Sequence, residues 1–287
     1  MSQANSRLLT HPFFMLAILV GAGVTAWAYF PEPPPPKVDN SNQTRILLVG
    51  NSLTEYNDLH RLLGGLARAA DCKAFVGKHV ILGSRLSEHI PKIEHNELLK
   101  VHPWDYVVLQ DSGLVAAFPK YRDEHMVPSL TKLQTMVEDA NAHPILFMTW
   151  GHKDGAARWD PSLSDYEKTQ TRITEAYWEL GKQFAMPIAP IGEAWQNAMT
   201  TDSDLPLWHA DGSHPGPYGS YLAACVLYAQ IFDASPVGLD YYGDIPESVA
   251  KTLQKIAFET VTTTAEKQTA KLTPASEIER TKQNDPS

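Results

Sequence analysis

An α/β fold built on a parallel sheet is predicted by three observations. Short apolar runs that end in glycine or polar residues recur along the chain, as in RILLV at Arg45–Val49 and YVVL at Tyr106–Leu109. Such runs suit strands buried on both faces. Between them lie longer stretches whose apolar residues return every three or four positions, the helical period. No linker breaks this alternation from about Arg45 to about Val261, so one domain is expected.

The elements follow in order. Arg45–Val49 is the first strand, closed by Gly50. Leu59, Leu62, Leu63, Leu66, Ala67 and Ala70 form a single apolar stripe and predict a helix. Lys73–Ile81 predicts a second strand and Ser87–Lys100 a helix. Tyr106–Leu109 is the third strand, Val127–Ala142 a helix, and PILFMT at Pro144–Thr149 the fourth strand. Ser164 and Glu167 have capping-box spacing ahead of Ile173, Ala176, Tyr177, Leu180 and Phe184. Pro187–Ile191 predicts a short fifth strand. Tyr218, Tyr221, Leu222, Cys225, Ala229 and Phe232 mark a helix with Pro217 near its first turn. Val249, Leu253, Ile256, Ala257 and Val261 mark a last one. Strands that alternate with helices give a parallel sheet covered on both faces. The expected architecture is a flavodoxin-like three-layer α/β/α sandwich with a five-stranded parallel sheet.

The flanks and the bulk composition bound the function. The chain has 287 residues, is 43% hydrophobic, and carries a net charge of −9 with no basic stripe. Binding to the nucleic-acid backbone therefore has little electrostatic support, and no nucleic-acid partner is expected. Arg7 precedes a run from Pro12 to Phe30 without a charged residue. As a helix that run would reach about 28 Å, close to the thickness of a bilayer core. Ala26-Trp27-Ala28 also has the small-x-small form of a cleavage site. Residues 1–30 thus read as a signal peptide or an N-terminal membrane anchor, with membrane association through 12–30 in the second case. Residues 31–44, which open with PEPPPP, read as a stiff Pro-rich linker. Both readings place the body, 45–263, outside the cytoplasm, as an exported periplasmic or extracellular domain. Residues 264–287 are polar, lack aromatics, and are expected to be disordered. Export would permit a bond between Cys72 and Cys225. Cys225, however, lies on the apolar side of a helix, where a small buried thiol is the simpler reading. No zinc spacing is present, and neither a metal nor another cofactor is expected.

In a sheet of this kind, ligands bind outside the carboxyl ends of the strands. The residues found there are Asn51 and Ser52, Gly83 and Ser84, Gln110 to Ser112, Trp150 to His152, and HADGSHPGPYG with Asp211 and His214. Asp211 and His214 stand three apart, on one side of a single turn. The carboxylate can accept from one ring nitrogen, fix the tautomer, and leave the other nitrogen as a base. A serine is inert until a base takes its proton, so Ser52 and His214 need each other. Backbone N–H groups of Ser52 and Gly83 suit the developing oxyanion. Asn51, Trp150 and His152 are the candidate substrate-lining residues, and Asn51 also suits fixing its own loop. Two other readings of the same residues exist. Gly50, Ser52 and Thr54 could cradle a phosphate, which leaves Asp211 and His214 without a task. His209, Asp211 and His214 could hold a metal, but only His152 and Asp111 are available to complete the set.

GNSLT at Gly50–Thr54 resembles the GDSL block of the SGNH/GDSL hydrolases, and DGSHP at Asp211–Pro215 resembles their Asp-x-x-His block. The order and spacing agree, and Gly83 falls where that family places an oxyanion glycine. The resemblance covers roughly Arg45 to Phe232. It implies a Ser–His–Asp esterase or acyl-transfer site, with Ser52 as nucleophile, His214 as base and Asp211 as its orienter. The third oxyanion donor of the family is an asparagine after the third strand. This chain departs there with LQDSG at Leu109–Gly113. Gln110 is the expected substitute and Ser112 the second choice. The substrate implied is a small ester, in particular an acetylated carbohydrate cleaved through an acyl-serine. Transfer of acetyl to an envelope polysaccharide on the same site is one alternative. A catalytically lapsed module that binds glycan or phosphate is another.

Overall fold

Alternation along the first strand divides the body into two cores. In β1 (Thr44–Gly50), Ile46 and Leu48 join one buried cluster, while Leu47 and Val49 join the other. A strand buried on both faces needs neighbours on both edges and helices above and below. β1 pairs in parallel with β2 (Ala74–Val80) on one edge and with β3 (Tyr106–Leu109) on the other. β4 (His143–Phe147) and β5 (Ile188–Ala189) extend the sheet, also in parallel. The order β2-β1-β3-β4-β5 is the expected five-stranded sheet. The winding reverses between β1 and β3, where such sheets open a crevice at their carboxyl ends. The structure, a computed structural model, describes residues 43–272, with side chains through 264. The charge-free run, PEPPPP and residues 273–287 lie outside the described residues. No helix among the described residues is long and apolar enough to cross a membrane.

The helices sort by face. α1 (Ser52–Glu55) and α2 (Leu59–Ala69) follow β1, and α3 (Leu86–His95) and α4 (Leu98–Val101) follow β2. α5 (Pro119–Tyr121), a π-helical turn at Arg122–Met126 and α6 (Val127–Asp139) follow β3. α7 (Tyr166–Phe184) follows β4, and α8 (Ile191–Thr201), α9 (Pro217–Phe232) and α10 (Glu247–Leu272) follow β5. Leu63 and Leu66 of α2, Trp195 of α8 and Leu253 of α10 pack with Ile46 and Phe147. Ile93 of α3, Leu133 of α6 and Ile173 of α7 pack with Leu47 and Val107 on the far face. α9 is enclosed by its neighbours, so residues well off its apolar stripe, such as Ala224 and Val226, are buried too. Each large aliphatic side chain so buried contributes about 1.5–3 kcal/mol before chain entropy is subtracted.

Four features depart from the sequence expectation beyond a residue or two at element ends. The helix expected over Ser87–Lys100 breaks before α4, where Glu97 takes a left-handed φ of 49°. α8 is not among the expected elements. Its Ile191, Ala194, Trp195 and Ala198 have helical spacing, but the sequence places Ile191 at the end of the fifth strand. Asp165, not Ser164, caps α7, because its carboxylate accepts from the Lys168 N–H at 2.9 Å. α10 continues past the expected limit near Thr264 to Leu272. Thr264 is buried and donates its hydroxyl to Glu193 at 3.0 Å, which gives that turn a packing reason to form. Cys72 and Cys225 are both free thiols, and Cys225 is fully buried.

Candidate active site

The loop after β1 is shaped before any chemistry is considered. A Cβ at Gly50 would collide with the side chains of Thr54 and Gln110, so only glycine fits. Asn51 then caps α1, its Oδ1 accepting the Leu53 N–H at 3.0 Å. Its Nδ2 donates to the Ser84 carbonyl at 2.9 Å, and its own N–H donates to Gln110 Oε1 at 2.9 Å. Asn51 therefore ties together the loops after β1, β2 and β3. It is buried, and its expected substrate-lining role is replaced by this bracing role. The caps leave Ser52 half-buried at the start of α1.

His214 reaches Ser52 from the opposite end of the chain. Its Nε2 lies 2.9 Å from Ser52 Oγ, and its Nδ1 lies 2.8 Å from Asp211 Oδ2. Asp211 Oδ1 accepts the N–H groups of Ser213 at 2.8 Å and His214 at 2.9 Å, which closes the turn and sets the three-residue spacing. Partial burial acts upward on the Asp211 carboxyl. The backbone donors from His214 and Ser213, with their side chains, overcome it and hold the group well below the usual carboxylate range. The carboxylate is thus ionised at neutral pH. It takes the Nδ1 proton as a hydrogen bond and leaves the Nε2 lone pair facing the serine hydroxyl. His209 shares the same carboxylate oxygen at 3.2 Å.

The loop that carries His214 is bolted to the loop after β4. Trp150 donates its indole N–H to the Ser213 carbonyl at 3.0 Å, Lys153 N–H donates to Gly212 O at 2.8 Å, and Trp208 donates to Gly151 O at 3.1 Å. Trp150 is buried and stacked on Trp195, with ring centroids 4.0 Å apart. It cannot line a pocket, and this corrects the sequence expectation: after β4 the aromatic ring turns inward to anchor the loop. His152 stays half-buried beside His214. Burial depresses its pKa, Asp211 opposes that, and a charged His214 reinforces it.

The far side of the site is a buried polar network. Gly83 has φ 70° and open space where a Cβ would sit, as a backbone that presents its N–H to a ligand requires. The following residue is locked. Ser84 donates its hydroxyl to Ile81 O at 2.7 Å and pairs with His89 Nε2 at 2.9 Å. Burial, then the neighbouring His79, lowers the His89 pKa to about 4, so its ring is neutral. Asp111 Oδ1 accepts the N–H of Leu86 at 3.2 Å and of Ser112 at 2.7 Å. Burial pushes Asp111 up to about 6 against those two donors.

Gln110 does not serve as the expected oxyanion donor. It is buried, its Oε1 accepts from Asn51 N–H and from the Thr54 hydroxyl at 2.8 Å, and its Nε2 donates to the Asp111 carbonyl. Its amide is engaged in holding the loop after β1. Ser112, the second choice, is half-buried at the same strand end. Two neighbours of the site went unnoticed in the sequence. Tyr56 stacks on His214, and Trp159 stands exposed next to His152. Only Trp159, an aromatic in the polar run KDGAARWDPS, carried a usable signal. Among the described residues no group of three or more His, Cys, Asp or Glu is arranged to hold a metal ion.

No family model matches the sequence, and no curated protein matches it. Solved structures do. A DUF4886 family protein from Bacteroides uniformis superposes with a TM-score of 0.67 at 20% identity, over 76% of this chain and 95% of that one. An acetyl xylan esterase superposes with a TM-score of 0.52 at 12% identity, over 64% of this chain and 98% of the other. These two likenesses establish the fold. A candidate SGNH hydrolase from Slackia heliotrinireducens goes further, at 29% identity and a TM-score of 0.54, over 66% of this chain and all of that one. Taken with the sheet order and the convergence of the GNSLT and DGSHP blocks on one strand edge, that likeness supports the resemblance of this chain to the SGNH/GDSL hydrolases.

Proposed function

We propose that the chain is an exported serine esterase that removes a small acyl group, an O-acetyl on a carbohydrate, through an acyl-serine intermediate. The observation that carries the reading is the unbroken line Ser52 Oγ, His214 Nε2, His214 Nδ1, Asp211 Oδ2, with separations of 2.9 and 2.8 Å at its two hydrogen bonds. In it, His214 takes the Ser52 proton as the oxygen attacks the acyl carbon, and Asp211 holds the tautomer and balances the imidazolium. The backbone N–H groups of Ser52 and Gly83 receive the oxyanion. Collapse expels the alcohol with the proton from His214. Water then repeats the steps on the acyl-serine.

The carbohydrate part has narrower support. Trp159 is 55% exposed, and its ring meets His152 edge-on at 5.6 Å, one ring beyond the base-bearing loop. An exposed aromatic face at that position suits the apolar face of a pyranose, and one structural neighbour is an acetyl xylan esterase. The uncharged run at 12–30 supports export. The test is acetate release from vinyl acetate and from an acetylated xylo-oligosaccharide, wild type beside Trp159→Ala. Turnover of both is expected, with KM for the oligosaccharide raised about five-fold in the variant and vinyl acetate unaffected. Turnover of vinyl acetate alone would remove the carbohydrate. Transfer to an added sugar hydroxyl in preference to water would make the chain an acyltransferase.

A further inference from the structure

The turn between α1 and α2 is bent and pinned. Asn57 and Asp58 both take left-handed backbone, with φ of 55° and 53°. Asn57 donates its side-chain amide to Pro215 O at 3.0 Å and to Ser220 Oγ at 2.8 Å. Pro215 directly follows His214, so the turn is tied to the loop that carries the base. The consequence falls on Tyr56. Its ring lies flat on the His214 imidazole, with centroids 4.3 Å and planes 13° apart. It meets His209 edge-on at 5.7 Å.

A stacked aromatic face has two effects on an imidazole. It restricts rotation of the ring about its Cβ–Cγ bond. It also presents negative quadrupole density, which attracts a cation more than a neutral ring. We infer that Tyr56 is a positioning residue for His214: its face keeps Nε2 aimed at Ser52 Oγ and favours the imidazolium formed as that hydroxyl is deprotonated. In that step the Oγ–H bond breaks and Nε2 takes the proton. The oxygen pair bonds to the acyl carbon, and the carbonyl pair moves to its own oxygen. The inference rests on the hydrolase reading for its catalytic part, but the effect on the imidazole does not depend on turnover. The titratable groups around His214 are Asp211, His209 on the same carboxylate, and His152 from the loop after β4. Glu55, next to Tyr56, is paired with Lys78 at 2.9 Å. Changing Tyr56 alone removes none of these groups.

The experiment compares Tyr56→Leu, Tyr56→Phe and Tyr56→Trp with wild type in the full chain. His214 is titrated by NMR, and kcat and KM on 4-nitrophenyl acetate are measured across pH. Tyr56→Leu is expected to lower the His214 midpoint by about half a unit to one unit and kcat by about ten-fold, with KM within about two-fold. Tyr56→Phe should keep kcat within about three-fold of wild type, and Tyr56→Trp should move the midpoint upward. A wedge that merely fills space would lower kcat without moving the midpoint, and that result overturns the inference. So does a Tyr56→Phe as slow as Tyr56→Leu. If Tyr56→Leu fails to fold, the Tyr56→Trp midpoint and the Tyr56→Phe kcat decide alone. A wild type inactive on esters would sink the hydrolase reading while the NMR midpoints still judge Tyr56. An active wild type with unmoved midpoints would sink only Tyr56.

Discussion

Asp211 and Asp111 each accept two backbone N–H bonds on a single carboxylate oxygen, in the two halves of one site. Their surroundings differ. The side chain of Asp211 is 38% exposed, and its second oxygen meets His214 and His209. Asp111 is 1% exposed, and its second oxygen has no hydrogen-bond partner among the described residues. The first carboxyl is held below the usual range and the second is pushed up to about 6. Equal backbone donation thus gives opposite results. What decides is whether the other oxygen meets solvent and imidazole or a buried interior. The exposed half suits carrying charge through the proposed reaction. The buried half is built to hold the Gly83 and Ser52 loops still.

The largest effect that would test this contrast is on the exposed side. Asp211→Asn keeps the shape of the turn but loses the charge and the fixed tautomer of His214. It should lower kcat by about three to four orders of magnitude with little change in stability. A loss under ten-fold would mean that Asp211 only folds the loop. The buried side should respond in the opposite currency. Gln110→Ala leaves the Asn51 N–H and the Thr54 hydroxyl without their acceptor. A loss of about 2–4 kcal/mol is expected in urea unfolding, with activity falling as the loop loosens. An unchanged unfolding midpoint would show that Gln110 does not brace the loop.

The smallest effect sharpens the comparison through pH. The folded pKa of Asp111 lies above its unfolded value. Its contribution is therefore fully favourable below about pH 4 and is lost as pH rises through about 6. Carried to completion, a shift of that size corresponds to at most about 3 kcal/mol. Asp111→Asn keeps an acceptor for Leu86 and Ser112 and cannot ionise. Its stability relative to wild type should rise between pH 4 and pH 7 and then level off, as read from urea unfolding at several pH values. A variant that loses ground to wild type as pH rises would show that the ionised carboxylate is the preferred form, contrary to the account given above.

The same contrast explains what the sequence disclosed. The exposed half is local. Asp211 and His214 share one turn, and the spacing alone shows that a carboxylate can reach an imidazole. Ser52 follows a glycine-terminated strand, and strand order places it on the same edge as His214. The sheet, too, was readable from its apolar runs. The buried half is assembled from three strand ends, and its contacts span long stretches of chain. Asn51 to Ser84 and Gln110 to Thr54 are pairs of ordinary polar residues with no common spacing. From sequence, Gln110 points to the oxyanion and Trp150 to the pocket, because both follow strands at the right edge. Burial and hydrogen bonding turn each of them inward instead. Tyr56 was missed because its position depends on two left-handed residues and a bond from Asn57 to Pro215.

The central claim is that Ser52 is an activated nucleophile. Intact mass after exposing the full chain to a fluorophosphonate, beside a Ser52→Ala control, tests it most directly. A single adduct on the wild type, mapped to Ser52 and absent from the control, is the expected result. No adduct on folded wild-type protein, or one that persists in Ser52→Ala, would contradict it and leave the loop after β1 as a binding cradle.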